Sequence, residues 1–219
     1  MGGTRVTSAT RGLLLDIGGV VLAGGPALAN RWAAGEPALA AVGALGGPED
    51  DLWQRMLGSQ VSERSYWETR AREFGAALGL EWTTRDLMNV LYARPEAEWL
   101  NGVVVDLMRE VKAARLPLAA LTNDLRDFHG QEWVDRQEWV RLFDTIVDAS
   151  VTGILKPAPD AFAAGAAALG LPPGDVVYLD DMPWNVEGAL AAGLDAHRVR
   201  HEDPGEAVAW ARARLGLTP

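Results

Sequence analysis

From residue 100 onward, short apolar runs alternate with longer stretches of helical periodicity, and few folds accommodate that rhythm. Leu100, Val103, Val104, Leu107, Met108, Val111 and Ala114 recur at helical spacing and give one apolar stripe. Leu118–Leu121 then reads as a strand, and a helix is expected over roughly Leu125–Leu142. Thr145–Val147 reads as a second strand. Pro159–Leu169 is an alanine-rich helix that opens on a proline and closes at Gly170. Strand Val176–Leu179, helix Val186–Ala192 closed by Gly193, and strand Ala196–Val199 follow. Asp203-Pro204 opens a last helix to about Leu215. One more strand stands apart near the N-terminus, in the apolar run 12–22 with its glycine-rich exit. Strands that alternate with helices imply an α/β protein whose parallel sheet is covered on both faces. Residues 26–99 break the rhythm. They read as mostly helical, interrupted at Gly35–Pro37, Gly46–Pro48 and Gly79.

Composition narrows the function. A chain of 219 residues buries roughly 70% of its unfolded surface and needs no staple to fold. It has no cysteine, which excludes disulfides, thiolate metal sites and a cysteine nucleophile. Thirty acidic against twenty basic side chains, a net charge of −10, argue against a nucleic-acid partner. No run approaches the roughly 18 apolar residues of a membrane span. Arg5 and Arg11 before Leu13-Leu14-Leu15, with Ala27-Leu28-Ala29 behind, imitate a secretion signal, but Asp16 interrupts the apolar stretch. The expectation is a soluble cytoplasmic protein with a loose tail over residues 1–11.

In open α/β sheets, ligands bind outside the carboxyl ends of the strands. Four polar positions stand there. Asp16 ends Leu13-Leu14-Leu15, and Thr122 ends Ala119-Ala120-Leu121, followed by Asn123-Asp124. Lys156 follows the Thr145 strand, and Asp180-Asp181 end Val176–Leu179. Three carboxylates, a hydroxyl and an ammonium are therefore expected along one sheet edge. The set suits a hard cation held by oxygen ligands, beside an anion held by lysine, hydroxyl and backbone N–H groups. That combination is a phosphate site with Mg²⁺.

In the strings LLLDIGGVV, LAALTND, GILKPAPDAF and VVYLDDMPWNVEGALAAG the chain resembles the haloacid dehalogenase superfamily. The last string is similar to the fourth motif of its phosphatase branch. The first, Asp-x-Gly-x-Val, is similar to that of bacterial glucose-1-phosphate phosphatases. The resemblance spans residues 12–199 and implies a Rossmann-like doubly wound parallel sheet with an inserted helical cap. Residues 1–25 and 100–219 would be the catalytic core and 26–99 the cap. The activity implied is that of a Mg²⁺-dependent phosphatase of a small phosphorylated metabolite. Asp16 would be the nucleophile that becomes an aspartyl-phosphate. Thr122 and the backbone N–H of Asn123 would hold phosphoryl oxygens, and Lys156 would neutralise charge on both partners. Mg²⁺ would be held by Asp16, the Gly18 carbonyl and Asp181, with Asp180 as a further ligand or a support. Asn185 stands where many members carry another acid, and would orient a metal-bound water.

One departure matters. The phosphatase pattern places a general acid–base Asp two residues after the nucleophile, and here that position is Gly18. Such help is typically worth about 10²–10⁴-fold. Three readings stay open: a phosphatase that uses water, Asp124 or His129 instead; a 2-haloacid dehalogenase, whose reaction needs no such acid; and a catalytically weak member that acts by binding. The acidic pair weighs against the second, because adjacent carboxylates repel unless a cation lies between them. Other features have bland readings beside the functional ones. Thr122 could cap the next helix, and Arg55 and Arg64 in 26–99 could meet the far end of a substrate or be surface ion pairs. His129, His197 and His201 are not spaced as a metal cluster. Of nine tryptophans most are expected to anchor packing, with Trp184 the one placed beside the phosphate site. No membrane or nucleic-acid partner is expected, and the aromatic content of 26–99 is consistent with a homodimer.

Overall fold

The structure, a computed structural model, describes residues 11–217. The tail expected to be loose thus lies outside the described residues except for Arg11, which is anchored by an ion pair to Asp195 at 2.8 Å. Five strands form one parallel sheet: β1 (Gly12–Leu15), β2 (Leu118–Thr122), β3 (Thr145–Asp148), β4 (Val176–Asp180) and β5 (Asp195–Arg198). Their order is β3-β2-β1-β4-β5. The chain therefore winds outward from β1 in both directions, and the crevice beside β1 is the switch point where such sheets bind ligands.

Alternate side chains leave the sheet on opposite faces. Leu13, Leu15, Leu118, Ala120, Val177 and Leu179 enter one apolar core. Leu14, Ala119, Leu121, Val176 and Tyr178 enter the other. The helices are α1 (Gly25–Ala33), α2 (Asp51–Leu57), α3 (Glu63–Ala77), α4 (Thr84–Leu91), α5 (Gly102–Ala113), α6 (Leu125–His129), α7 (Gln131–Arg136), α8 (Ala149–Thr152), α9 (Pro159–Leu169), α10 (Pro183–Ala191) and α11 (Pro204–Leu215). Helices α5 and α11 cover the first face of the sheet, and α9 and α10 cover the second. Helices α1–α4 lie between β1 and β2 in sequence and pack into the first core through Leu28, Tyr66, Phe74 and Leu87. Trp32 fixes them to one another, stacking on Phe74 at 5.4 Å and on Trp82 at 5.8 Å. Within this span Asp50 is fully buried. It pairs with Arg70 and accepts from the Tyr66 hydroxyl and the Trp53 N–H, both at 2.8 Å. Among the described residues no helix is long and apolar enough to cross a membrane.

Three elements differ from expectation. The strand expected over 12–22 ends at Leu15, and Ile17–Val21 curl into one wide helical turn. Gly19, at φ 73°, makes that curl, a conformation open to glycine at little cost. The helix expected over 125–142 is three pieces: α6, α7 and a 3₁₀ turn at Trp139–Leu142. Gly130 at φ 81° divides the first two, and an extended Gln137 ends the second. Helix α10 starts at Pro183 instead of Val186, because proline suits the first helical turn, where its missing N–H costs no bond.

Candidate active site

The carboxyl ends of β1, β2 and β4 bring the expected residues together. The Asp16 N–H donates to the Leu179 carbonyl at 2.9 Å, which continues the pairing of β1 with β4 and sets Asp16 beside the acidic pair. Lys156 reaches the same point from the loop before α9. Its Nζ lies 2.9 Å from Asp16 Oδ1 and 2.7 Å from Asp180 Oδ2. Asn123 holds that loop in place: its Oδ1 accepts from the Lys156 N–H at 2.9 Å, and its Nδ2 donates to the Lys156 carbonyl at 3.3 Å. Thr122 and Asn123 face the same cavity as Asp16 and Lys156.

The two adjacent aspartates divide their work. Asp180 is fully buried, and both of its oxygens are engaged. It takes Lys156, the Tyr178 hydroxyl, the Met182 N–H at 2.8 Å and the Asn185 amide at 3.1 Å. Asp181 instead lines the cavity, where His201 Nε2 lies 3.2 Å from its Oδ2. The cavity measures about 80 Å³, room for several water molecules. Its roof comes from the α1–α4 span, through Trp53, Glu63, Trp67, Met88 and Tyr92.

Charge in this site is unbalanced. Burial pushes the Asp16 carboxyl well above its ordinary range, Asp180 and Asp181 add to that, and Lys156 opposes it. Asp181 is raised by burial and by Asp180, against the pull of His201. Burial disfavours the Lys156 ammonium, but Asp16 and Asp180 outweigh it and raise its pKa. One ammonium does not satisfy three carboxylates. Asp16, Asp180 and Asp181 each offer an oxygen within 4.8 Å of the others. Oxygens across one Mg²⁺ stand up to roughly 4.2 Å apart, from bonds of about 2.1 Å. The donor set is all oxygen and anionic, so the residues fit a hard divalent cation. Asp16 and Asp181 are the pair with oxygens facing the cavity, and Asp180 supports from behind.

Two glycines differ in kind. A Cβ on Gly18 would meet nothing within 4 Å, and its backbone is one any residue adopts. A Cβ on Gly19 would lie 2.2 Å from Asp181 Oδ2, at a positive φ. Gly19→Ala is therefore expected to displace Asp181 and destabilise the protein by about 1–3 kcal/mol. Urea denaturation with and without Mg²⁺ measures both effects. Unchanged stability and unchanged Mg²⁺ response would show that Asp181 does not need this close approach.

Several expectations need correction. Thr122 caps no helix: α6 begins at Leu125, after Asp124. Asn185 is not among the residues that line the cavity: its Nδ2 donates to Asp180 at 3.1 Å, while its buried Oδ1 has no partner among the described residues. Trp184 packs against the first core, and the tryptophans that line the cavity are Trp53 and Trp67. Asp124 is paired with Arg64, which also binds Asp127 at 3.0 Å, so Arg64 is an ion-pair residue. His129 stacks on Trp133 at 4.2 Å, and burial lowers its pKa to about 3. It is neutral at physiological pH and poorly suited to donate a proton. Two cavity residues carried no signal of their role in the sequence, Glu63 and His201. An acidic residue in a first helical turn ordinarily answers the helix dipole, which hides Glu63. The histidine lies twenty residues beyond the aspartate it meets.

A doubly wound sheet with a nucleophile-like aspartate, a bridging lysine and an acidic pair at its switch point defines a class of α/β hydrolases. Residues 10–193 match the model of the haloacid dehalogenase-like hydrolases, and the chain belongs to that family. It is 26% identical over 215 residues to acyl-CoA dehydrogenase family member 10 of Mus musculus, covering 94% of this chain but 19% of that protein. It is 27% identical over 130 residues to phosphatase MT3486 of Mycobacterium tuberculosis, covering 59% of this chain and 57% of that one. The chain thus spans about a fifth of the first relative and under three-fifths of the second. The solved L-2-haloacid dehalogenase RSc1362 shares the fold, with a TM-score of 0.61 at 19% identity over 88% of this chain and 87% of that one.

Proposed function

We propose that this protein is a Mg²⁺-dependent phosphatase of small phosphorylated metabolites, with residues 26–99 as the cap over its site. One observation carries the reading: three buried carboxylates cluster around a single ammonium, and two of them, Asp16 and Asp181, line the cavity. A metal-free displacement of halide has no use for the third carboxylate, whereas a phosphoryl site needs a divalent cation to neutralise its substrate. The relative named phosphatase MT3486 supports the same reading.

The roles follow from position. The Asp16 carboxylate attacks phosphorus and forms the aspartyl-phosphate. Lys156 holds Asp16 and stabilises charge on the transferring group, and Thr122 with the Asn123 N–H binds phosphoryl oxygens. Asp16, Asp181 and the Gly18 carbonyl would hold Mg²⁺, which when bound offsets the negative charge of the phosphoryl group. Asp180 fixes Lys156.

The test is release of inorganic phosphate from an aryl phosphate with Mg²⁺, lost on adding a chelator. Halide release from a 2-haloacid without metal, and no phosphate release, would replace this reading with a dehalogenase. A second measurement does not depend on turnover. At a hundred times its Kd, Mg²⁺ is expected to stabilise the fold by about 2.7 kcal/mol, or roughly 5–11 °C in Tm. Addition of chelator should reverse the shift, and Ca²⁺ or Mg²⁺ without any effect would count against a cation site.

A further inference from the structure

The cavity contains an acid that the family pattern does not supply. We propose that Glu63, carried into the site by the first turn of α3, is the general acid–base that the Gly18 position lacks. The inference rests on the phosphatase reading above and adds a residue to it. Three observations converge.

The first is space. A Cβ on Gly18 would meet nothing within 4 Å, and Gly18 lines the cavity, so the place of the usual acid is open at its root. The second is position. Glu63 lines the same cavity as Asp16, Gly18 and Lys156, but it arrives from the opposite wall. Ser62 fixes it there by accepting from the Ser65 N–H at 3.1 Å, capping α3. The third is elimination. The other candidate donors that line the cavity are already committed. Asp124 is tied to Arg64, and His201 to Asp181. His129 is a neutral ring stacked on Trp133. The Tyr92 hydroxyl is turned to the Ala23 carbonyl at 3.4 Å, and burial raises its pKa. Glu63 makes no side-chain hydrogen bond and no ion pair among the described residues.

Its protonation state suits the task. Withdrawal from water pushes the Glu63 carboxyl up to about 8, with Asp181, Asp124 and Asp180 adding and Lys156 opposing. In the metal-free site it therefore holds a proton at neutral pH, facing the cavity from the roof. In the first half-reaction Asp16 forms its bond to phosphorus as the bond to the leaving oxygen breaks, and the Glu63 proton passes to that oxygen. In the second, the Glu63 carboxylate takes a proton from water. The resulting oxygen attacks phosphorus, the bond to Asp16 breaks, and inorganic phosphate departs.

The experiment compares substrates that differ in their need for an acid. With Mg²⁺ present, Glu63→Gln is expected to lower kcat on an alkyl phosphate by about 10²–10³-fold. On dinitrophenyl phosphate, whose leaving group needs no proton, the loss should stay below about tenfold. Adding Gly18→Asp to Glu63→Gln should restore much of the alkyl phosphate rate, since that site has room for an acid. Independently of turnover, carbon-13 NMR of the side-chain carboxyls in the metal-free protein should show one glutamate that titrates near 8, absent from Glu63→Gln. If Glu63→Gln does not fold, Glu63→Ala gives the same comparison, because it also removes the proton donor. Equal losses on both substrates, no loss on either, or a Glu63 that titrates near 4.5 would each overturn the inference. Asp16→Asn separates the two levels. If that variant is inactive while Glu63→Gln is unaffected, the phosphatase reading stands and Glu63 is not its acid.

Discussion

Asp16→Asn is expected to abolish phosphate release, by on the order of 10⁴–10⁶-fold, while the protein stays folded and at least as heat-stable as the wild type. The activity loss follows from chemistry: an amide cannot form the acyl-phosphate bond that a carboxylate forms. The stability follows from the surroundings. Asp16 accepts the Ile17 N–H at 2.7 Å through Oδ1, and an amide oxygen accepts it equally. Burial, with Asp180 and Asp181, raises the Asp16 pKa in the folded state. A carboxyl raised on folding contributes stability that is fully present below its unfolded-state value and lost as pH rises through the folded one. Asparagine carries no such penalty. The Tm of the metal-free variant should therefore match the wild type at acid pH and exceed it increasingly as pH rises above the ordinary range near 3.8. Thermal melts across pH, with a phosphate-release assay alongside, check both halves. Retained turnover would remove the aspartyl-phosphate mechanism. A variant less stable at every pH would mean that the carboxylate is structural.

Lys156→Met should lose activity to a similar degree and, unlike Asp16→Asn, lose stability with it. Among the described residues, the Lys156 ammonium is the one cation placed directly between Asp16 and Asp180, at 2.9 and 2.7 Å. Removing one partner from a buried ion pair leaves uncompensated charge and costs about 3–5 kcal/mol. For a chain of this size that is a drop of roughly 6–20 °C in Tm. Mg²⁺ should recover part of the loss, since a cation beside Asp16 replaces some of the missing charge. The pair of variants thus separates catalysis from architecture at adjacent atoms. A Lys156→Met protein as stable as the wild type, with or without Mg²⁺, would show that the lysine holds no part of this sheet edge together.

Much of this is legible in the residues themselves. The alternation after residue 100 predicts four parallel strands, and all four form within a residue of expectation, whereas the N-terminal strand is shorter than its apolar run. The reason is local: apolar runs of four or five residues between helical patterns have no other means of burying both faces. Asp16, Thr122, Lys156 and Asp180-Asp181 were visible because each follows an apolar run, and the switch point gathers strand ends. The spacing over 125–142 predicts one helix where there are three pieces, because it continues through Gly130, whose positive φ leaves no trace in periodicity. Trp184 was misplaced because closeness in sequence to Asp181 does not fix direction. The first turn of α10 sends Asn185 to Asp180 and leaves Trp184 against the first core.

The sequence by itself determined the sheet, the set of residues at its carboxyl edge and the family to which they belong, since each depends on patterns within a few residues or on four short motifs. Only the tertiary structure decided how those residues share their work. It spends both oxygens of Asp180 on Lys156, Tyr178, Met182 and Asn185 and turns Asp181 to the cavity. It also brings Glu63 over a site that begins 47 positions earlier, at Asp16. Burial and the approach of other charges set the pKa of a carboxyl, and both are properties of the folded neighbourhood, which no spacing along the chain encodes.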